Sequence, residues 1–418
     1  MSADAKTYTF LLRKGMKWSD GQPFTTADIK FWYEDDFLNK DINPIPPQWG
    51  WTPGSNVPTL DIVDDYTFKL TWGVPNRPLV NTLRFWAGMW WNFATGTPAH
   101  YMKKFHKKYN DKIADEAKAA GYDTWVAYYG AVKNPTGAKY GKDKPALATW
   151  IWSEQTASYR SLVRNPYYWG VDSAGNQLPY FDKVVAQFVT DIEGYNMKIV
   201  AGEADYASGN TTLQNLPLYM DNADKGGYIV RKFKSPRGSD ESFCFNRNSK
   251  DPVLAKIFQD PRWSQAMSYG INRKEVQSVV FMGTGVLRQA APNPEVSYFK
   301  KAWEDFCVEY SPDKANKLLD EMGLDKRAAD GTRLRSDGKP LEILIQTCVM
   351  DSPSVPVTQV VIQHWQKLGV KVTYQVIERT LLETRGRAGD LDVGVWHTDR
   401  TNEARGYVPG VGKIVDDY

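Results

Sequence analysis

Four histidines, His100, His106, His364 and His397, are the first candidates for metal or acid–base chemistry. Positions six apart lie on different faces of a helix, so His100 and His106 make a poor chelating pair. His364 falls on the apolar stripe of a predicted helix and reads as a satisfied core histidine. There is no His-Glu-x-x-His and no Walker-type phosphate loop. Gly283-Thr284-Gly285 is followed by Arg288 where a dinucleotide loop would need its third glycine. A Gly-x-Ser-x-Gly nucleophile elbow is also missing. Carboxylates number 49, but no spacing selects a glycosidase-like pair, because such pairs meet only in three dimensions.

What remains is ring surface: 16 Trp, 23 Tyr and 17 Phe in 418 residues. Trp49 and Trp51, Phe85-Trp86 and Trp90-Trp91 cluster in segments containing Gly and Pro. Such rings either pack a core under loops or form a wall on which a sugar ring or peptide side chain stacks. A net charge of only +3 gives no electrostatic basis for a nucleic-acid or membrane-surface partner. The longest strongly apolar run, residues 87–94, is far shorter than the ~20 residues that span a bilayer. Three cysteines, Cys244, Cys307 and Cys348, permit at most one disulfide and leave the redox compartment open. The opening residues lack the basic and then apolar pattern of a signal peptide.

The elements that would position these groups are of mixed type. Residues 66–72 alternate, with Tyr66, Phe68, Leu70 and Trp72 on one strand face. Residues 7–12 alternate more weakly. Thr25-x-x-Asp28 resembles a capping box, with Ile29, Trp32, Tyr33 and Phe37 following on one stripe. Thr97-Pro98 predicts a helix start, with Tyr101, Met102, Phe105 and Tyr109 as its buried side. Helix starts are also predicted at Asp260-Pro261, Asn272-x-x-Glu275 and Ser311-Pro312. The first presents Trp263, Ala266, Met267 and Gly270. The second carries Val276, Val279 and Val280 and stops at Gly283. The third carries Ala315, Leu318, Leu319 and Met322 and ends at Gly323. Strand signals at 341–345 and 370–376 flank a helix from Pro356 to Gly369. That is a βαβ crossover, so at least one sheet is partly parallel. Gly/Asp/Lys-rich stretches near 137–144 and 325–339 read as surface loops.

The run Tyr8-Thr9-Phe10-Leu11-Leu12-Arg13-Lys14-Gly15-Met16-Lys17-Trp18-Ser19-Asp20-Gly21-Gln22-Pro23-Phe24-Thr25-Thr26-Ala27-Asp28-Ile29 resembles the signature of family 5 extracellular solute-binding proteins, the receptors of ABC importers. Further stretches agree in order: Arg164-Asn165-Pro166-Tyr167-Tyr168-Trp169, Leu178-Pro179-Tyr180-Phe181-Asp182, Gly202-Glu203-Ala204-Asp205 and residues 260–273. The physics of Trp18-Ser19-Asp20-Gly21 is that of a tight turn, so the signature reads as fold-defining.

The resemblance implies an α/β, two-lobe periplasmic-binding-protein-like fold with mixed sheets, an extra subdomain in lobe one and a hinge between lobes. Lobe one is expected over 1–242, incomplete at its start, and lobe two over 243–390. Residues 391–418 would return to lobe one, also incomplete. Residues 243–248 and 390–396 match the crossing segments, which makes Phe243, Asn246, Asp392 and Val395 hinge candidates. The resemblance further implies a monomeric, non-enzymatic receptor, periplasmic or extracellular, that needs no cofactor and no metal. Family members begin earlier and end later than this chain, which reads as a truncated frame or fragment whose leader is missing.

Two ligand classes stay open. Peptide-binding relatives carry Trp-x-x-Asp at the second crossing, the aspartate pairing with the peptide amino group; here the matching residues are Trp396-His397-Thr398-Asp399. The next residue, Arg400, departs from the peptide pattern and offers Asp399 a neutralising charge. Carbohydrate-binding relatives rely on stacked tryptophans, for which Trp86, Trp90 and Trp91 are candidates beside Trp396. The segment Pro98-Ala99-His100-Tyr101-Met102-Lys103-Lys104-Phe105-His106 resembles that sugar-associated branch. Nickel has no evident ligand set among four scattered histidines. The competing class is a glycoside hydrolase with aromatic subsites.

Overall fold

A computed structural model describes residues 1–44, 52–83, 96–134, 142–209, 211–233, 235, 237–349 and 353–398. The chain divides into two compact units, Met1–Thr190 and Asp191–Tyr418.

In the first unit, strands β1 (Thr7–Leu11), β2 (Thr59–Asp64) and β3 (Thr67–Thr71) form an antiparallel sheet in the order β1-β3-β2. The predicted alternation holds: Phe68, Leu70 and Trp72 are buried together with Tyr8, Trp18 and Ile29. Helix α1 (Thr26–Phe31) starts at a true capping box. The Thr25 hydroxyl accepts from the Ala27 amide at 3.2 Å, and Asp28 accepts from the Thr25 amide at 3.2 Å. Asp28 does more than cap. Its Oδ1 accepts from the Ala99 amide at 2.9 Å, and its Oδ2, which also caps the helix, accepts from the Trp18 indole N–H at 3.3 Å. Burial nevertheless pushes the Asp28 carboxyl above its ordinary range. The signature therefore builds core, as its turn chemistry indicated.

The 3.6-residue stripe predicted beyond α1 is not kept. Residues Trp32–Phe37 widen into a π-helix, and the extra residue turns two consecutive aspartates inward. Asp35 accepts from Lys108 Nζ at 2.7 Å and from the Tyr109 hydroxyl at 2.6 Å. Asp36 accepts from Lys133 Nζ and the Tyr129 hydroxyl, both at 2.8 Å. The helix expected from Thr97-Pro98 is also shorter than read. Helix α2 (Ala99–Met102) passes at once into a 3-10 turn, Pro98 is the N-cap itself, and Tyr109 is exposed. The cause is His106, which turns away to bond the Asp35 carbonyl at 2.9 Å and Asn39 at 3.0 Å. Helix α3 (Trp125–Lys133) supplies Tyr129 and Lys133. A second antiparallel sheet follows, β4 (Trp150–Gln155), β5 (Tyr159–Arg164) and β6 (Lys183–Gln187) in that order.

The second unit begins with helix α4 (Ile192–Val200) and holds a four-stranded mixed sheet. Its strands are β7 (Ser239–Phe245), β8 (Glu342–Thr347), β9 (Lys371–Val376) and β10 (Val393–Thr398), ordered β7-β10-β8-β9. One face packs on helices α5 (Pro252–Gln259), α6 (Pro261–Tyr269), α7 (Arg273–Val280), α8 (Pro312–Glu321) and α9 (Ser354–Lys367). The predicted starts of α6, α7 and α8 are all capped, by Asp260, Asn272 and Ser311. Gly270 follows α6, and a Cβ there would lie 2.6 Å from the Leu368 side chain, so the close approach of the two segments requires glycine. Val279, read as buried, is instead exposed. The β8–α9–β9 crossover is present, with β8 and β9 parallel in the register Ile343↔Val372.

His364 on α9 is buried as expected, its Nε2 2.9 Å from the Glu275 carboxylate. The 325–339 stretch is not a plain surface loop. Arg333 within it is fully buried, bonded to Asp320 at 2.6 Å and Asn316 at 2.7 Å. Residues 137–141 of the other predicted loop lie outside the described residues. Among the described residues no helix is long and apolar enough to cross a membrane.

Candidate functional site

Parallel strands with covering helices place ligands outside their carboxyl ends, where the winding of the sheet reverses. Here β9 lies on one side of β8, whereas the next connection, through α10 (Arg379–Arg387), carries β10 to the other side. The reversal falls between β8 and β10. At that end stand Thr347 at the end of β8 and Cys348 after it, Trp396-His397-Thr398 on β10, and the start of antiparallel β7.

The residues there are placed by alternation. Val393 and Val395 face the α9 core, so Trp396 faces the other side, against Cys348, Leu382 and Leu391. Trp396 is 5% exposed. The Arg379 guanidinium lies over its ring, 5.1 Å from the centroid, and the His397 ring is tilted against it at 5.3 Å. Ser242 and Thr398 share a hydroxyl–hydroxyl hydrogen bond of 2.7 Å across β7 and β10. Glu378 caps α10 through the amides of Thr380 at 2.7 Å and Leu381 at 3.2 Å.

The charge here is acidic. Burial pushes the Cys348 thiol up to about 11; Arg379 opposes that, and the carboxylates of Glu383, Glu241 and Glu378 add to it. Such a thiol is not a nucleophile near neutral pH. All three cysteines are unpaired. Glu241 and Ser242 also line a cavity of about 1450 Å³ beside β7, floored by Phe243, Phe245 and Trp365. Small-molecule sites usually hold ~300–1,000 Å³, so this space is large enough for an oligomer. No group of three or more metal-ligating side chains occurs among the described residues.

Of the residues singled out from sequence, Trp396 lies buried at this end of the sheet and does not line that cavity, whereas Phe243 does. Asp399, Arg400, Trp86, Trp90 and Trp91 lie outside the described residues, as do Trp49 and Trp51. Of the hinge candidates, Phe243 and Val395 stand opposite each other on the antiparallel β7–β10 pair, and Asn246 and Asp392 flank it. The Asn246 amide donates to the Asp392 carbonyl at 2.9 Å, and the Asp392 carboxylate accepts from the Leu344 amide at 3.1 Å. Burial raises the Asp392 carboxyl, and the Asp251 charge adds to the effect. Both strands belong to the sheet of the second unit. Sequence reasoning missed Arg379, Cys348 and the Ser242–Thr398 pair. The only local signal for them was the capping glutamate Glu378 at the head of α10. Several other tryptophans, Trp18, Trp32, Trp72, Trp263 and Trp365, are fully buried core.

The sequence model described as bacterial extracellular solute-binding proteins, family 5 Middle, matches residues 1–408. A probable ABC transporter-binding protein of Deinococcus radiodurans is 27% identical over 396 residues, covering 93% of this chain and 62% of its own length. A periplasmic alpha-galactoside-binding protein of Rhizobium meliloti is 24% identical over 412 residues, covering 94% of this chain and 55% of its own. The structure of an oligopeptide-binding protein, OppA, superimposes with a TM-score of 0.63 at 35% identity, over 96% of this chain and 63% of that one. The chain thus spans little more than half the length of these curated relatives.

Proposed function

Because the chain belongs to the family 5 extracellular solute-binding proteins, we propose that it is a receptor that captures an oligopeptide or oligosaccharide and delivers it to the membrane permease of an ABC importer. The match along residues 1–408 carries this reading. In it Trp396 offers a stacking surface, Asp399 an acceptor or counter-charge tempered by Arg400, and Trp86, Trp90 and Trp91 further ring walls. Closure of lobe two (243–390) on lobe one (1–242 with 391–418) bends the backbone at Phe243, Asn246, Asp392 and Val395. The receptor works as a monomer in the periplasm or outside the cell. It is not an enzyme, because the matched relatives are binding proteins.

The two named ligand classes among those relatives, alpha-galactosides and oligopeptides, support the choice of oligomer without dividing it. The test is calorimetric titration of the chain with stachyose and with tetraalanine, with chromatography of the sugar afterwards. Saturable one-to-one binding of one probe, with the sugar returned intact, is expected. Shorter sugars appearing with turnover would replace the receptor by the hydrolase.

A further inference from the structure

Trp396 is nearly inaccessible, yet part of its cover is an exposed side chain. The Arg379 guanidinium lies 5.1 Å from the ring centroid while its side chain is 57% exposed. Its Nε donates to Glu383 at 3.0 Å, one turn further along α10. Of the other neighbours, Cys348, Leu382 and Leu391 are buried parts of the packed core, and the His397 ring beside the indole is half-buried. A core leucine cannot leave without disrupting its surroundings. An exposed arginine changes rotamer in picoseconds to nanoseconds. Among the described residues, Arg379 is therefore an exposed, movable part of a cover whose leucines and cysteine are fixed.

We propose that Arg379 is a gate and specificity-determining residue: it occupies the Trp396 ring when no ligand is bound and yields that ring to the flat apolar face of a ligand. The inference rests on the reading above in which Trp396 contacts ligand. A solute reaches the indole only by out-competing a cation–π contact, so one without a ring or peptide plane to offer is turned away. An exposed contact of this kind corresponds to about two- to fivefold in affinity.

Arg379→Ala, Arg379→Lys and Trp396→Leu test it, with thermal melting to confirm that each variant is folded. Acrylamide quenching needs no ligand, and the emission lost in Trp396→Leu isolates the share of Trp396. That share is expected to be shielded in the parent chain and quenchable in Arg379→Ala; continued shielding overturns the gate. In calorimetry with stachyose and tetraalanine, Arg379→Ala is expected to tighten binding of the accepted probe about two- to fivefold. Arg379→Lys, which keeps charge without the planar fork, should fall between. Weaker or unchanged binding in Arg379→Ala overturns the gate. If Trp396→Leu also binds as the parent does, the fault lies in the ligand reading at Trp396, whereas a loss in Trp396→Leu alone leaves that reading standing without the gate.

Discussion

In the first unit Asp35 and Asp36 are buried, and each carboxylate oxygen meets one donor: Lys108 and Tyr109 on one residue, Lys133 and Tyr129 on the other. At the carboxyl end of the second unit's sheet, three glutamates, Glu241, Glu378 and Glu383, act on one buried thiol against a single arginine. That arginine is more exposed than buried. The first cluster is closed: matched charges, fixed partners, nothing left to offer. The second sets three carboxylates around one thiol beside a guanidinium at the surface. Buried charge alone marks neither structure nor function; the balance of donors and the mobility of the outermost group tell them apart.

That contrast can be broken most forcefully in the first cluster. Asp36→Ala leaves Lys133 and the Tyr129 hydroxyl facing an empty site. Its denaturation midpoint is expected to fall by the equivalent of about 3–5 kcal/mol, as for removing one partner of a buried pair. A loss near zero would show the cluster is no more closed than the other. The next effect is on binding. Asp399→Asn is expected to cost roughly 2–5 kcal/mol in calorimetric affinity if the accepted probe is a peptide with a free ammonium. For a sugar, which meets a hydrogen-bond acceptor in either case, the loss is expected to be nearer ~1 kcal/mol. No change for either probe would remove Asp399 from the site. The smallest effect sharpens the comparison. Glu383→Gln breaks an i,i+4 ion pair with an exposed Arg379, and its stability is expected to fall by only about 0.3–0.5 kcal/mol. A cost of several kcal/mol in the same denaturation measurement would make this cluster a structural one.

Titration adds a check on the frame around the site. The Asp392 carboxyl is raised by burial above its unfolded value. The sign follows from linkage: stability from the protonated form is present below the unfolded pKa and is lost as pH rises through the folded one. Asp392→Asn is therefore expected to flatten that loss on the acid side of neutrality. Melting curves from pH 3 to 7 that stay parallel to the parent's would exclude a buried, perturbed Asp392.

Local signals were the legible ones. Thr25 with Asp28, Asn272 and Ser311 could be read because a cap needs only its next three residues. The Phe68-Leu70-Trp72 face could be read because its period is two. Motif order pointed to residues 243–248 and 390–396 as crossing segments and to Trp396 as a ligand contact, and both stay proposals. The π-helix could not be read, since Ile29, Trp32 and Phe37 fit a regular helix equally well; what decides is the set of donors from residues 108–133. The shield on Trp396 was invisible for the same reason. Arg379 and Trp396 belong to consecutive elements but meet only when α10 and β10 pack at one end of the sheet.

The position of β10 has a consequence for synthesis. It pairs with β7 on one side and β8 on the other, so an inner strand of this sheet is the last of its four described strands to leave the ribosome. The first unit's hairpins join neighbours in sequence and can close as they emerge. The second unit holds β7 and the β8–β9 pair apart until residue 393 onward arrives. A nascent chain cut short of that strand exposes two strand edges at once, a state prone to aggregation and open to chaperones and proteases. The fold thereby links completion of the tryptophan-bearing strand to the survival of the chain.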